Sequence, residues 1–191
     1  MLKKSILPLL LSLAFLFHGC NDDKKPTNDE QTKQANSMVS KNEFVLTTLK
    51  GEKLTVTKEV NGFKLANAEG KIVIFDIFAT WCPPCRAAAT HLTALQKKYK
   101  DDLVVIGITI EDNIANEKLQ EFKAQYNANY TIVNSTQNRR LANAIVTEMK
   151  LGQRFPIPIM ALYKDGKYIN HYIGAIQEEF IDSDIKKALG K

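Results

Sequence analysis

The stretch that decides the reading of this chain is residues 72–86, IVIFDIFATWCPPCR. It begins with an apolar run, 72–78, interrupted only by Asp76. Such a run fits a strand buried on both faces. A short turn follows, then Trp81-Cys82-Pro83-Pro84-Cys85, and residues 86–98 have helical spacing. The spacing therefore predicts a strand that delivers two cysteines to the start of a helix. A thiol is a weak nucleophile until it loses its proton. The first turn of a helix offers unpaired N–H groups and the positive end of the macrodipole, and both favour a thiolate. Cys82 falls at the N-cap. Pro83 and Pro84 fall in the first turn, where a missing N–H costs little. Cys85 lies about one turn further, and is expected to be more buried and less acidic. One thiol that attacks and one that resolves is the asymmetry a disulfide exchanger needs.

Asp76 stands in a strand of Ile, Val and Phe. A carboxylate placed there is desolvated, which raises its pKa and makes it a candidate to take and return the proton of Cys85.

The amino end reads as an address. Lys3 and Lys4 precede an apolar stretch, 6–17, that is shorter than the roughly 20 residues of a spanning helix. His18-Gly19-Cys20 follows. The pattern predicts a lipoprotein-type signal over 1–19 with Cys20 as the lipidated residue. The bases for this are the basic start, the short apolar core and the small residue before the cysteine. Residues 20–42 are polar and lack aromatics, and are expected to form a flexible tether. The domain proper is then 43–191. The chain has three cysteines. With Cys20 lipidated, Cys82 and Cys85 are left as a closed pair. A bridge over so short a loop constrains the unfolded chain little, so redox chemistry explains it better than stability does. No metal is expected: a zinc site needs about four ligands, and His18, His91 and His171 show no paired spacing.

The remaining composition is ordinary for a globular domain, with 45% hydrophobic and 25% charged residues. The net charge of +5 includes Lys3 and Lys4, and there is no basic run interleaved with aromatics. Nucleic acid is not an expected partner. Strands are predicted at 43–48, 53–57 and 63–65, with turns at Gly51 and Asn61-Gly62. After the helix at 86–98 come a strand at 103–110, a helix at 114–126, a short strand at 130–133 and a helix at 139–149. Then follow a strand within 155–163, a hairpin at Asp165-Gly166, a strand at 167–172 and a last helix at 178–189. Strand–helix alternation of these lengths argues for an α/β layer fold with a mixed central sheet flanked by helices. Two prolines around Ile157 make one of them a candidate for a cis bond. His91 and Arg86 read as solvated side chains on the first helix.

FATWCPPC (78–85), IPIMALYKDGK (157–167) and Gly174 together resemble the thioredoxin superfamily, and more closely its TlpA/ResA-like extracytoplasmic branch. The likeness covers about residues 40–191. It implies a thioredoxin-like fold with an N-terminal β-hairpin and a helix–strand insertion at 113–137. It also implies that Cys82 attacks, Cys85 resolves, Trp81 flanks them, and Pro158 is a cis-proline facing the dithiol with Ile157 before it. A substrate peptide would lie along Ile157 as a short added strand. The implied partners are protein disulfides, in secreted proteins or apocytochromes, and a membrane electron donor of the DsbD/CcdA type. The implied setting is the periplasmic side of a bacterial membrane, with the protein a lipid-anchored monomer that needs no cofactor. Asp76 follows the classical thioredoxins, whereas many TlpA/ResA-like proteins place a Glu three residues after the second cysteine, where this chain has Ala88. Two other readings fit the same residues: an oxidant or isomerase of secreted proteins, and a peptide-binding holdase whose cysteines are not catalytic.

Overall fold

The computed structural model describes residues 40–152 and 154–191. The expected leader 1–19, Cys20 and tether residues 21–39 lie outside the described residues. Three antiparallel strands come first: β1 (Glu43–Thr47), β2 (Lys53–Glu59) and β3 (Gly62–Leu65). The chain continues through β4 (Ile72–Phe78), α1 (Pro83–Lys98), β5 (Leu103–Thr109), α2 (Asn116–Gln125), β6 (Thr131–Val133), α3 (Asn138–Glu148), β7 (Ile159–Lys164), β8 (Lys167–Ile173) and α4 (Glu178–Leu189). The second sheet has the order β6-β5-β4-β7-β8. Strands β4, β5 and β6 run parallel, and β7 and β8 are antiparallel additions. A bridge between Thr48 and Val133 ties the two sheets together. The fold is the mixed α/β architecture expected from the sequence, with α2 and β6 as the inserted helix–strand.

Strand β4 is the centre of this sheet and every residue in it is buried. Its alternation assigns the two cores. Ile72, Ile74 and Phe78 face α1, α2 and α4, packing with Cys85, Ala88, Ala89, Leu92, Phe122 and Ile181. Val73, Phe75 and Ile77 face α3 and the three-stranded sheet, packing with Phe44, Val56, Phe63, Leu141 and Ile145. Asp76 has the same parity as Ile72, Ile74 and Phe78, so it points to the α1 side. Elements form where the apolar periods put them, and the differences are local. The strand sought within 155–163 starts only at Ile159, because Pro156 and Pro158 cannot donate to a ladder. In α3 the spacing suggests Leu141, Ala144, Ile145 and Met149 inward; Leu141 and Ile145 are buried, joined by Ala142 and Val146, while Ala144 and Met149 are half-buried against the same core.

The far end of α1 is tied to α4 by Asp182. Its carboxylate accepts from Lys98 Nζ (2.7 Å), Tyr99 Oη (2.6 Å) and Lys186 Nζ (2.9 Å). Burial alone would raise its pKa, but the bonds from Lys98, Tyr99 and Lys186 outweigh burial and hold it well below the usual carboxylate range. Removing it leaves the buried Tyr99 hydroxyl unpaired, so Asp182→Ala should cost about 2 kcal/mol at neutral pH. A carboxylate depressed in the native state stabilises above its unfolded value of about 3.9, and that stability is lost as pH falls through the native value. Urea denaturation of both proteins should therefore show the gap narrowing in strong acid, where a protonated Asp182 still accepts from Tyr99 but loses its attraction for the two lysines. A gap independent of pH would mean the loss is one of packing.

Candidate active site

Helix α1 begins where the sequence places it, with Cys82 as N-cap (φ −83°, ψ 112°) and Pro83 and Pro84 in its first turn. The Cys85 N–H donates to Cys82 Sγ at 3.3 Å. The two sulfurs are joined as a disulfide, with Cα atoms 5.3 Å apart. The expected difference in burial is small: Cys82 is 3% exposed and Cys85 1%. The difference in surroundings is larger. Both sulfurs belong to the α1-side core, but Cys82 adjoins Trp81, which is 62% exposed, whereas Cys85 lies inside the first helical turn. The Ile157–Pro158 bond is cis. The Ile157 carbonyl oxygen stands 3.7 Å from Cys82 Sγ, and the Pro158 carbonyl accepts from the Gly174 N–H at 2.9 Å. The loop before β7 thus reaches the outer sulfur and is tied to the end of β8, where Gly174 (φ +82°) makes a turn.

Asp76 is 1% exposed. Burial pushes its carboxyl up to about 7, and a hydrogen bond from Tyr130 partly offsets the rise. Tyr130 Oη donates to Asp76 Oδ2 at 2.9 Å, while Oδ1 is buried without a partner. The ring that makes this bond needs space, and Gly107 supplies it. Gly107 pairs with Asp76 across β4 and β5. A Cβ at 107 would lie 3.0 Å from the Tyr130 ring, 3.1 Å from Ile132 and 3.2 Å from Phe78. Neither Tyr130 nor Gly107 stands out in the sequence reading. The usable signal was the lone glycine inside LVVIGITI, since glycine in a strand often marks a close approach by another group.

A second group also escapes the sequence reading. Glu111, just past β5, accepts from the Thr80 N–H (2.6 Å) and the Thr80 hydroxyl (2.9 Å). Arg86 Nε donates to the Thr80 carbonyl at 3.0 Å, and its guanidinium lies 5.1 Å from the Tyr126 ring centroid. The residue leading into Trp81-Cys82 is therefore held at its N–H, its hydroxyl and its carbonyl. Arg86 is a structural clamp, contrary to the solvated role read from sequence, because α1 turns it back over the loop. His91 is likewise half-buried, its Nδ1 3.1 Å from the Ile176 carbonyl, so it fastens the segment between β8 and α4. Ala88 is buried on α1 in the α1-side core. Among the described residues no cluster of three or more His, Cys, Asp or Glu is placed to hold a metal ion, and no helix is long and apolar enough to cross a membrane.

Comparisons with known proteins place this arrangement in context. The AhpC/TSA family matches residues 41–161. The chain is 31% identical over 138 residues to the thioredoxin-like protein YneN of Bacillus subtilis, covering 70% of this chain and 72% of that one. It is 27% identical over 145 residues to the thiol-disulfide oxidoreductase ResA of Bacillus thuringiensis, covering 75% and 73%. Among solved structures, a thiol:disulfide interchange protein of the thioredoxin family from Chlorobium tepidum superposes with a TM-score of 0.58 at 21% identity. That match covers 78% of this chain and 94% of the other.

Proposed function

The chain belongs to the AhpC/TSA family of thioredoxin-like proteins, as a ResA-like thiol-disulfide oxidoreductase, and from that premise we propose that it reduces protein disulfides through Cys82 and Cys85 on the outer side of a bacterial membrane. The observation that carries the reading is the outer sulfur. Cys82 caps a helix, receives the Cys85 N–H, and sits between an exposed tryptophan and the Ile157 carbonyl. In the reduced protein the helix start and the Cys85 N–H favour the thiolate.

A substrate segment laid along Ile157 presents its disulfide to Cys82. The Cys82 thiolate attacks one substrate sulfur, the substrate S–S bond breaks, and the departing sulfur takes a proton from water. Cys85 then gives its proton to Asp76 and attacks Cys82. The second substrate sulfur leaves, and the Cys82–Cys85 bond forms. Two electrons pass from dithiol to substrate. Asp76 is the proton acceptor in this scheme because its side chain faces α1 and carries an unpartnered oxygen. A carboxyl that titrates near the working pH can both take and return a proton.

The setting is supported by the sequence pattern of a basic start, a short apolar core and Gly19-Cys20: a signal over 1–19, lipid on Cys20, a tether over 20–42 and a domain over 43–191. A domain held this way can reach both secreted substrates or apocytochromes and a membrane electron donor of the DsbD/CcdA type, working as a monomer. Equilibration against glutathione tests the direction of transfer. A potential near the value of about −270 mV typical of thioredoxin is the expected result. One near about −120 mV, typical of DsbA, would replace the reductant with an oxidant.

A further inference from the structure

Asp76 takes the Cys85 proton in this mechanism, and Tyr130 has no role in it so far. Yet the geometry devoted to Tyr130 is considerable. Its ring is 5% exposed and lies over a strand position that has no side chain. Its own carbonyl and that of Ala128 accept from Lys123 Nζ, which also lies 5.8 Å from the ring centroid. The hydroxyl ends on one specific oxygen of a buried carboxylate whose other oxygen is unpartnered. Gly107 and Lys123 therefore seat the Tyr130 ring, and its hydroxyl fixes one oxygen of the carboxyl group.

We propose that Tyr130 is a positioning residue of the redox reaction: its hydroxyl holds Asp76 Oδ2, so that Oδ1 is the oxygen that takes the proton of Cys85. This rests on the assignment of Asp76 as proton acceptor. With a mixed disulfide on Cys82, the Cys85 proton moves to Oδ1 and the Cys85–Cys82 bond forms. The substrate sulfur leaves with the electron pair of the broken bond and is protonated by water, and Asp76 later returns its proton to solvent. Tyr130 keeps its own proton throughout, since burial and the neighbouring carboxylate both push its pKa well above the ordinary phenol value.

A donor to the carboxylate also favours its ionised form. The groups facing Asp76 are few. From β5 comes Gly107 and from β7 Met160, neither titratable. Helix α1 carries the two cysteines on the side of the sheet to which Asp76 points. From the segment before β6 comes Tyr130, with the Lys123 charge of α2 behind its ring. Tyr99 and Asp182 share this side of the sheet but are bonded to one another where α1 meets α4. Among the described residues, Tyr130 is thus the one hydrogen-bonding neighbour through which the carboxylate is adjusted.

Tyr130→Phe keeps the ring and removes the donor. The rate at which Cys85 resolves a mixed disulfide on Cys82 should be followed against pH in the full chain, alongside Asp76→Asn and the double variant. With the donor gone, the midpoint of the Tyr130→Phe profile should rise by about one pH unit, slowing the step roughly fivefold at neutral pH and hardly at all two units higher. A ring-fluorinated tyrosine at position 130, a stronger donor of nearly the same shape, should move the midpoint the other way. That arm covers the case in which Tyr130→Phe folds poorly. The double variant should match Asp76→Asn alone. If Asp76→Asn flattens the profile while both changes at 130 leave the midpoint in place, the role of Tyr130 is overturned and that of Asp76 stands. If Asp76→Asn leaves the profile unchanged, the assignment of Asp76 fails and this proposal fails with it.

Discussion

Cys82→Ser is expected to abolish disulfide reduction completely, and Cys85→Ser to stop turnover while leaving the first attack intact. The difference follows from what surrounds each sulfur. Cys82 adjoins the exposed Trp81 and the Ile157 carbonyl, the side along which the proposed substrate segment lies. A serine hydroxyl cannot form the mixed disulfide on which the reaction depends, so no residual route remains. Cys85 lies inside the first turn of α1, 1% exposed, in the core cluster with Ala88, Ala89 and Leu92. Without it the mixed disulfide on Cys82 has nothing to release it and should accumulate. Mass spectrometry of Cys85→Ser after mixing with an oxidised protein should show a stoichiometric adduct that dithiothreitol removes. Adduct formation by Cys82→Ser instead would reverse the two assignments. Full activity in Cys82→Ser would leave a peptide-binding holdase as the better reading.

How much of this was legible in the sequence depended on how far apart the contributing residues lie. The strand–dithiol–helix unit is local: Ile72 to Lys98 contains its own apolar period, its cap and its prolines, and it folds as those features dictate. Asp76 was legible because a charge in a run of Ile, Val and Phe violates the pattern, and such violations tend to mark sites. Tyr130 and Gly107 were not. They sit 54 residues and, through β5 pairing, one strand away from Asp76, and each looks ordinary in its own segment. Glu111 was hidden for the same reason, since a carboxylate after a strand end could face solvent as easily as Thr80. Arg86 and His91 were misread because helical spacing tells which face a residue occupies, but not which loop will be folded over that face. Periodicity places elements; the pairing of strands distant in sequence decides what their side chains meet.

The second large effect is on stability, and its sign is opposite to that of most substitutions in a core. Asp76 ionises at about 3.8 in the unfolded chain and at about 7 in the folded one, mainly because burial disfavours its charge. For an acid raised in this way, the unfolded chain has released its proton over a range in which the native protein still holds it. Stability therefore declines from about pH 4 to about pH 7 and levels off above, with a total loss of roughly 4 kcal/mol. Asp76→Asn removes the charge and keeps an oxygen for the Tyr130 hydroxyl. Its amide group, placed where Oδ1 finds no partner, costs about 1–3 kcal/mol at every pH. The two curves should accordingly cross, with the wild-type protein more stable near pH 4 and Asp76→Asn more stable by roughly 1–3 kcal/mol near pH 8. Urea denaturation of the oxidised proteins across that range is the measurement. Titrations elsewhere in the chain affect both proteins alike and cancel in the difference. Parallel curves would show that Asp76 is ionised at its ordinary pH in the native state. A crossing would mean that the fold gives up several kcal/mol to hold a carboxyl group half-protonated at neutral pH, the condition under which it can accept a thiol proton and release it again within one cycle.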